Sequence, residues 1–225
     1  MKASTLTLYA DELTLICTQA GNVNTGAFDP LDEICNLTHS SEAWVHVDGA
    51  FGLWAVVSPR YAHLTTGVER ADSWATDAHK WLNTPYDSGL AFVRDSRHLE
   101  AAMSASAAYL ASAGKREPFH YTPELSRRAR GVEVWAALHS LGRQGLARLV
   151  DLCCANARLF ASRLEDAGFR VLNEVVLNQV LVSFGDPETT QRIIRRVQED
   201  GTCWCGGTEW QGQCAMRISV SSCAL

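Results

Sequence analysis

The sequence has no apolar run long enough to cross a bilayer, its best stretches being broken within a few residues by charge or glycine. It has no surplus of basic charge either. Its 20 Lys and Arg stand against 25 Asp and Glu, a net charge of −5. That balance argues against nucleic acid as a partner, because phosphate binding needs clustered cations. Nor does the chain open like a secretory signal: Met1 to Leu6 runs into Asp11 and Glu12 before an apolar core or a small-residue cleavage site develops. Its eight cysteines include no C-x-x-C pair, and Cys203, Cys205 and Cys214 have no histidine beside them. No metal is therefore expected, and the cysteines read as reduced, buried small hydrophobes. There is no internal repeat and no low-complexity tract. These absences predict a cytoplasmic chain with neither a membrane nor a nucleic-acid partner.

What is present is globular. Hydrophobic residues make up 47% and charged ones 20% of 225 residues, enough for one large domain or two small ones. Short β-rich runs alternate with helical stretches, which predicts an α/β architecture built on a mostly parallel sheet. Strands are expected at 13–17, 43–47, 72–76 and 89–93, with a helix starting at Asp29-Pro30. The Ala- and Ser-rich stretch from Ser96 to Glu124 reads as a mobile loop. Helical periodicity follows over 132–141 and 146–167, then a strand at 180–184, a helix from about Glu188 to Glu199 and a strand at 216–220. The division implied is 1–141 for a large domain and 142–225 for a small α+β domain. His46 and the tryptophans read as packing residues.

Two chemically active side chains stand where strands stop. Asp48 ends the second strand, and Gly49 lets the chain turn. Lys80, in Asp77-Ala78-His79-Lys80-Trp81, follows about one crossover unit later and is flanked by apolar neighbours. Singly, Asp48 fits a turn or helix cap and Lys80 a snorkelling surface lysine. Together, a carboxylate and an amine at successive strand ends of an α/β sheet, where ligands bind, fit pyridoxal phosphate. A lysine amine holds that cofactor covalently, and an anion against its ring nitrogen keeps the nitrogen protonated.

The segments His46-Val47-Asp48-Gly49-Ala50-Phe51 and Asp77-Ala78-His79-Lys80-Trp81 resemble the two signature stretches of the group II pyridoxal-phosphate-dependent amino acid decarboxylases. Gln19 to Leu31, Asp72-Ser73-Trp74 and Met216-Arg217-Ile218-Ser219 extend the likeness along almost the whole chain. The resemblance implies fold type I of the pyridoxal-phosphate transferases and decarboxylation of an L-amino acid to its amine. It implies that Lys80 holds the cofactor, that Asp48 pairs with the ring nitrogen and that Ala50 lies against a ring face. His79 then lies near the phosphate and reacting centre, and Asp77 takes a position where relatives carry a phosphate-touching Asn or Ser. Asn22, with Asn24 and Thr25, falls where relatives place threonines beside the cofactor, although Gly21-Asn22-Val23 departs from their G-T-T pattern. Tyr109 resembles the loop tyrosine that reaches the partner subunit's site in a homodimer and returns a proton to the substrate carbon. Arg127, Arg128 and Arg130 lead into the family's exit helix, meeting either an anion or solvent.

Members of that family are longer than this chain, and the part without a counterpart lies before Met1; it would carry the phosphate-cradling loop. The expectation is therefore a fragment of a longer enzyme or the product of a disrupted reading frame, holding the cofactor weakly and turning over little. The competing readings are other fold type I chemistry (aminotransferase- or desulfurase-like) and a non-catalytic remnant.

Overall fold

The computed structural model describes residues 13–38, 43–104 and 116–221. Strand β1 (Leu15–Gln19) leads through a turn to helix α1 (Leu31–Thr38), whose buried Leu31, Cys35 and Thr38 recur at helical spacing. Strand β2 (Trp44–Asp48) alternates buried Val45 and Val47 with more exposed Trp44, His46 and Asp48. Three short 3₁₀ turns, Gly52–Val57, Ala62–Thr65 and Val68–Arg70, carry the chain to strand β3 (Ser73–Asp77). One turn of helix, α2 (Ala78–Trp81), and strand β4 (Gly89–Val93) follow. The first sheet has the order β1-β2-β3-β4, with β1, β2 and β3 parallel and β4 antiparallel at the edge. The expected mostly parallel sheet is present, with each strand within two residues of its predicted place. His46 is a satisfied sheet residue: its Nδ1 lies 2.7 Å from the Ser73 hydroxyl.

The stretch after β4 corrects the sequence reading. Ser96–Met103 is not a loop but helix α3, started by the Asp95 side chain, which accepts the Arg97 N–H at 3.0 Å. Alanine is the best helix former, so an Ala-rich run after a capping residue is better read as helix. Pro118–Tyr121 is a further 3₁₀ turn, and 105–115, with Tyr109, lie outside the described residues.

Helix α4 (Arg130–Asp166) carries both predicted helical stretches across a break at Gly142, where φ is 59° and ψ 176°. Only glycine adopts that conformation without strain. Past the break, Leu146, Leu149, Val150, Cys153, Cys154, Ala157 and Ala161 form one buried stripe. Strands β5 (Arg170–Val171) and β6 (Gln179–Ser183), helix α5 (Pro187–Asp200), and strands β7 (Gly206–Trp210) and β8 (Gln213–Ser219) complete a second sheet. That sheet is wholly antiparallel, in the order β5-β6-β8-β7. Helix α5 covers the expected helix and has clear delimiters: Asp186 accepts the Thr189 N–H at 2.8 Å, Pro187 opens it and Gly201 closes it at φ 77°. The tryptophans are not uniformly core. Trp81 is buried, whereas Trp135 and Trp204 are largely exposed. Among the described residues no helix is long and apolar enough to cross a membrane.

Gly142→Ala is expected to lower stability by about 1–3 kcal/mol, since no alanine tolerates that φ and ψ without strain. Urea unfolding followed by circular dichroism measures it; an unchanged midpoint would show that the break is not fixed by glycine.

Candidate functional site

Parallel pairing puts the carboxyl ends of β2 and β3 side by side, Asp48 opposite Ala75. Beyond them the two turns are tied by backbone: Gly49 N–H donates to Ala75 O at 2.9 Å and Asp77 N–H to Ala50 O at 2.8 Å. Ala20 N–H, just past β1, donates to Asp48 O at 2.8 Å. Gly52 is where the turn presses on the end of β1, because a Cβ there would stand 2.1 Å from Ala20 O. No residue but glycine fits that approach.

The residues next to the chemical ones anchor both turns. Phe51 and Trp81 are buried in one cluster with Ala55, Tyr61, Val150, Cys154 and Leu177, the α4 side chains coming from beyond the Gly142 break. Ala78 and Leu82, flanking Lys80, pack into the neighbouring cluster with Val134, Leu146 and Val180. Burial of Cys154 pushes its thiol up to about 12, against the opposing bond with the Tyr61 hydroxyl. Arg158 donates to the Tyr61 hydroxyl at 2.5 Å.

On this platform the Lys80 Nζ lies 2.9 Å from Asp77 Oδ2 and 5.9 Å from the centre of the Phe51 ring, which follows Ala50. The structure thus brings Lys80, Asp77, His79 and the Asp48–Phe51 turn to one sheet end. Lys80 is not the amine among apolar side chains that its neighbours in sequence suggest. The apolar neighbours turn inward, while its own side chain, 39% exposed, pairs with a carboxylate. The Asp48 Oδ1 accepts the Ala50 N–H at 3.1 Å, the turn contact expected of it, on an otherwise exposed side chain. His79 is the most enclosed of the group, with Nε2 3.6 Å from Asp77 Oδ2. Asn22 spends its side chain on its own loop: Oδ1 accepts the N–H groups of Asn24 and Thr25 at 3.0 and 3.2 Å, and Nδ2 donates to Gln19 at 2.9 Å. Arg128 and Arg130 meet carboxylates of this chain, Glu133 at 2.8 Å and Asp87 at 3.1 Å.

Sequence reasoning missed Tyr86, Asp87 and Ser88. The Tyr86 ring lies 4.1 Å from that of His79, and the Ser88 backbone N–H reaches His79 Nδ1 at 3.0 Å. A Tyr and a Ser in a Pro- and Gly-containing stretch look like any turn, and only the β3–β4 hairpin folds them back. The residues present fit a pyridoxal phosphate in kind: β2 and β3 bring an amine for its aldehyde and a carboxylate for its ring nitrogen to the same end of the sheet.

A lysine and an aspartate at the carboxyl end of a mostly parallel sheet place the chain among α/β proteins with a ligand site beyond their strand ends. Residues 9–185 match the family model described as Pyridoxal-dependent decarboxylase conserved domain, and the chain belongs to that family. It is 31% identical over 212 residues to a histidine decarboxylase of Drosophila melanogaster, covering 92% of this chain and 25% of that relative. It is 30% identical over 186 residues to an aromatic-L-amino-acid decarboxylase of Manduca sexta, covering 80% of this chain and 37% of that one. Oryza sativa TDC, solved with PLP and tryptamine, superimposes with a TM-score of 0.85 at 24% identity, over 93% of this chain and 46% of that one. Mouse CSAD gives 0.80 at 25% identity, over 92% and 48%. The chain thus spans less than half the length of these relatives.

Phe51→Ala is expected to cost about 3–5 kcal/mol in urea unfolding by opening a cavity between the two turns. It should also bring Cys154 into reaction with iodoacetamide at pH 8. In the unaltered chain the exposed Cys17 and Cys203 react first. Peptide mass spectrometry reads both; Cys154 labelled as fast as Cys203 without the substitution would contradict the burial.

Proposed function

We propose that this chain belongs to an enzyme that removes the α-carboxyl group of an L-amino acid as carbon dioxide, with pyridoxal phosphate as cofactor. The observation that carries the reading is the delivery of Lys80 and Asp48 to one sheet end by turns locked through Phe51 and Trp81. Membership of the decarboxylase family supports it.

In this reading Lys80 supplies the amine that holds the cofactor, Asp48 the negative charge against its ring nitrogen, and Ala50 a face small enough for close approach. When bound, the cofactor supplies an electron sink for the pair left behind by departing carbon dioxide. Asp48 holds its charge fixed where positive charge must persist. His79, enclosed beside Asp77, keeps a proton donor or acceptor near the reacting centre, and Asn22 shapes the loop beside it. Tyr109 returns the proton to the substrate carbon, reaching the partner subunit's site in a cytoplasmic homodimer. The names of the relatives make histidine and the aromatic L-amino acids the first substrates to try.

Asp77 sets the limit. Its carboxylate occupies the Lys80 amine and stands where a phosphate dianion would approach, which favours weak cofactor binding by this chain alone.

Borohydride reduction with pyridoxal phosphate, followed by peptide mapping, is expected to mark Lys80 at low occupancy. Asp77→Asn should raise that occupancy about threefold, the scale of a part-exposed ion pair, and Lys80→Ala should abolish it. Carbon dioxide release assayed beside keto-acid and sulfide formation separates decarboxylation from the other fold type I reactions. Label spread over surface lysines, with none on Lys80, would sink the reading.

A further inference from the structure

Residues 86, 87 and 88 are consecutive, and each makes a distinct contact. The outer two touch His79: Tyr86 through its ring, and Ser88 through its backbone at Nδ1. The middle one is gripped from another element. Arg130, the first residue of α4, donates through Nε to the Asp87 carbonyl at 3.0 Å and to Asp87 Oδ1 at 3.2 Å. Its Nη2 donates to Oδ1 at 3.1 Å and to Oδ2 at 3.4 Å. A planar guanidinium spanning a carboxylate and the adjoining carbonyl fixes both the side chain and the peptide it belongs to. Arg128 adds a longer contact to the Tyr86 carbonyl at 3.5 Å.

The tautomer of His79 follows from the same three residues. Its Nδ1 lies 3.0 Å from both the N and the O of Ser88. The Ser88 carbonyl already accepts the N–H groups of Ala78 at 2.8 Å and His79 at 3.4 Å. Ser88 is buried, and its N–H has no acceptor but Nδ1 among the described residues. A buried N–H left unpaired is costly. Nδ1 is therefore the acceptor, and in the neutral ring the proton sits on Nε2, which faces Asp77 Oδ2 at 3.6 Å.

We propose that Arg130 is a positioning residue of the candidate site: by clamping Asp87 it holds Ser88 and Tyr86 against His79 and so fixes the ring's orientation and its Nε2–H tautomer. This rests on the decarboxylase reading for its chemical use, since that reading sets His79 beside the cofactor, but the tautomer itself is a property of the chain. The clamp is robust to acid. Hydrogen bonds from Arg130, then the Asp87 backbone, hold the Asp87 carboxyl below its ordinary 3.8. A carboxyl lowered on folding stabilises above its unfolded value and loses that contribution only as pH falls through the lowered one. The Arg130–Asp87 contact is therefore present through neutral pH.

The test is long-range proton–nitrogen NMR of the ¹⁵N-labelled chain at pH 8, with the His79 signals assigned by their loss in His79→Gln. The unaltered chain should show one acceptor-type and one protonated ring nitrogen, the proton on Nε2. Arg130→Gln should lower the ratio of the two tautomers by roughly tenfold, the worth of about one net hydrogen bond, with circular dichroism unchanged. Asp87→Asn cuts the clamp from its other end and should do the same. A His79 that keeps its Nε2–H form in both variants would overturn the proposal. Borohydride trapping at Lys80 in the unaltered chain is read alongside. Its absence with the tautomer shift intact rejects the cofactor reading alone, and an unchanged tautomer with trapping intact rejects the clamp alone.

Discussion

Phe51 and Trp81 occupy one buried cluster, and the candidate site depends on that shared burial. Each follows a residue of chemical interest, Ala50 and Lys80, by a single position. Burying a large aromatic side chain is worth about 1.5–3 kcal/mol, so turning either residue outward would cost more than any polar contact the turns make. With the two rings held inward against Val150 and Cys154, the directions of the neighbouring side chains are settled, and Lys80 points out over the Phe51 ring. Parallel pairing of β2 and β3 supplies the other half of the constraint by placing both turns at the same end of the sheet. The long helix supplies the floor, and its break at Gly142 lets one continuous segment both carry Arg130 and floor the Phe51–Trp81 cluster.

Against that rigid base the polar contacts are weak. The Lys80–Asp77 pair is short, at 2.9 Å, yet both side chains are part-exposed. Pairs of that kind contribute about 0–1 kcal/mol. In the proposed role the Lys80 amine would lose little on leaving Asp77, and the pair holds the side chain in place meanwhile. The same carboxylate stands near His79, so one anion orders two bases. What Asp77 opposes is a second anion. If a phosphate binds beside it as proposed, the two like charges would repel in a partly dry site, more strongly than solvated groups do.

Much of this was legible in the residues. The β-rich runs 43–47 and 72–76 located β2 and β3. The helix expected from about Glu188 to Glu199 is α5, one residue longer at each end. Other elements escaped for identifiable reasons. Strand β7 opens with Gly206 and Gly207, which carry no strand signal, and β5 is two residues long. Helix α3 hid in a composition that reads as loop until its Asp95 cap is noticed. The ion pair of Lys80 with Asp77 follows from i,i+3 spacing on a helical turn, a signal masked by the apolar residues beside Lys80 in sequence, which turn inward. Ser88 and Asp87 were invisible because their roles depend on backbone groups and on a residue 43 positions away.

The two faces of the first sheet differ in a way that bears on cofactor affinity. Thr18, Val45, Val47 and Thr76 are buried on one face. On the other, Leu15, Cys17, Gln19 and Asp48 are exposed in the described residues. Parallel strands are ordinarily covered on both sides, and Asp48 belongs to the open side. A carboxylate there is solvated, and in the proposed role its attraction for a ring cation would be screened by water that a closed site would exclude. In the proposed role, the strength of an Asp48 contact with a ring nitrogen depends on what covers this face, whereas the turn that carries Lys80 is rooted in the buried clusters.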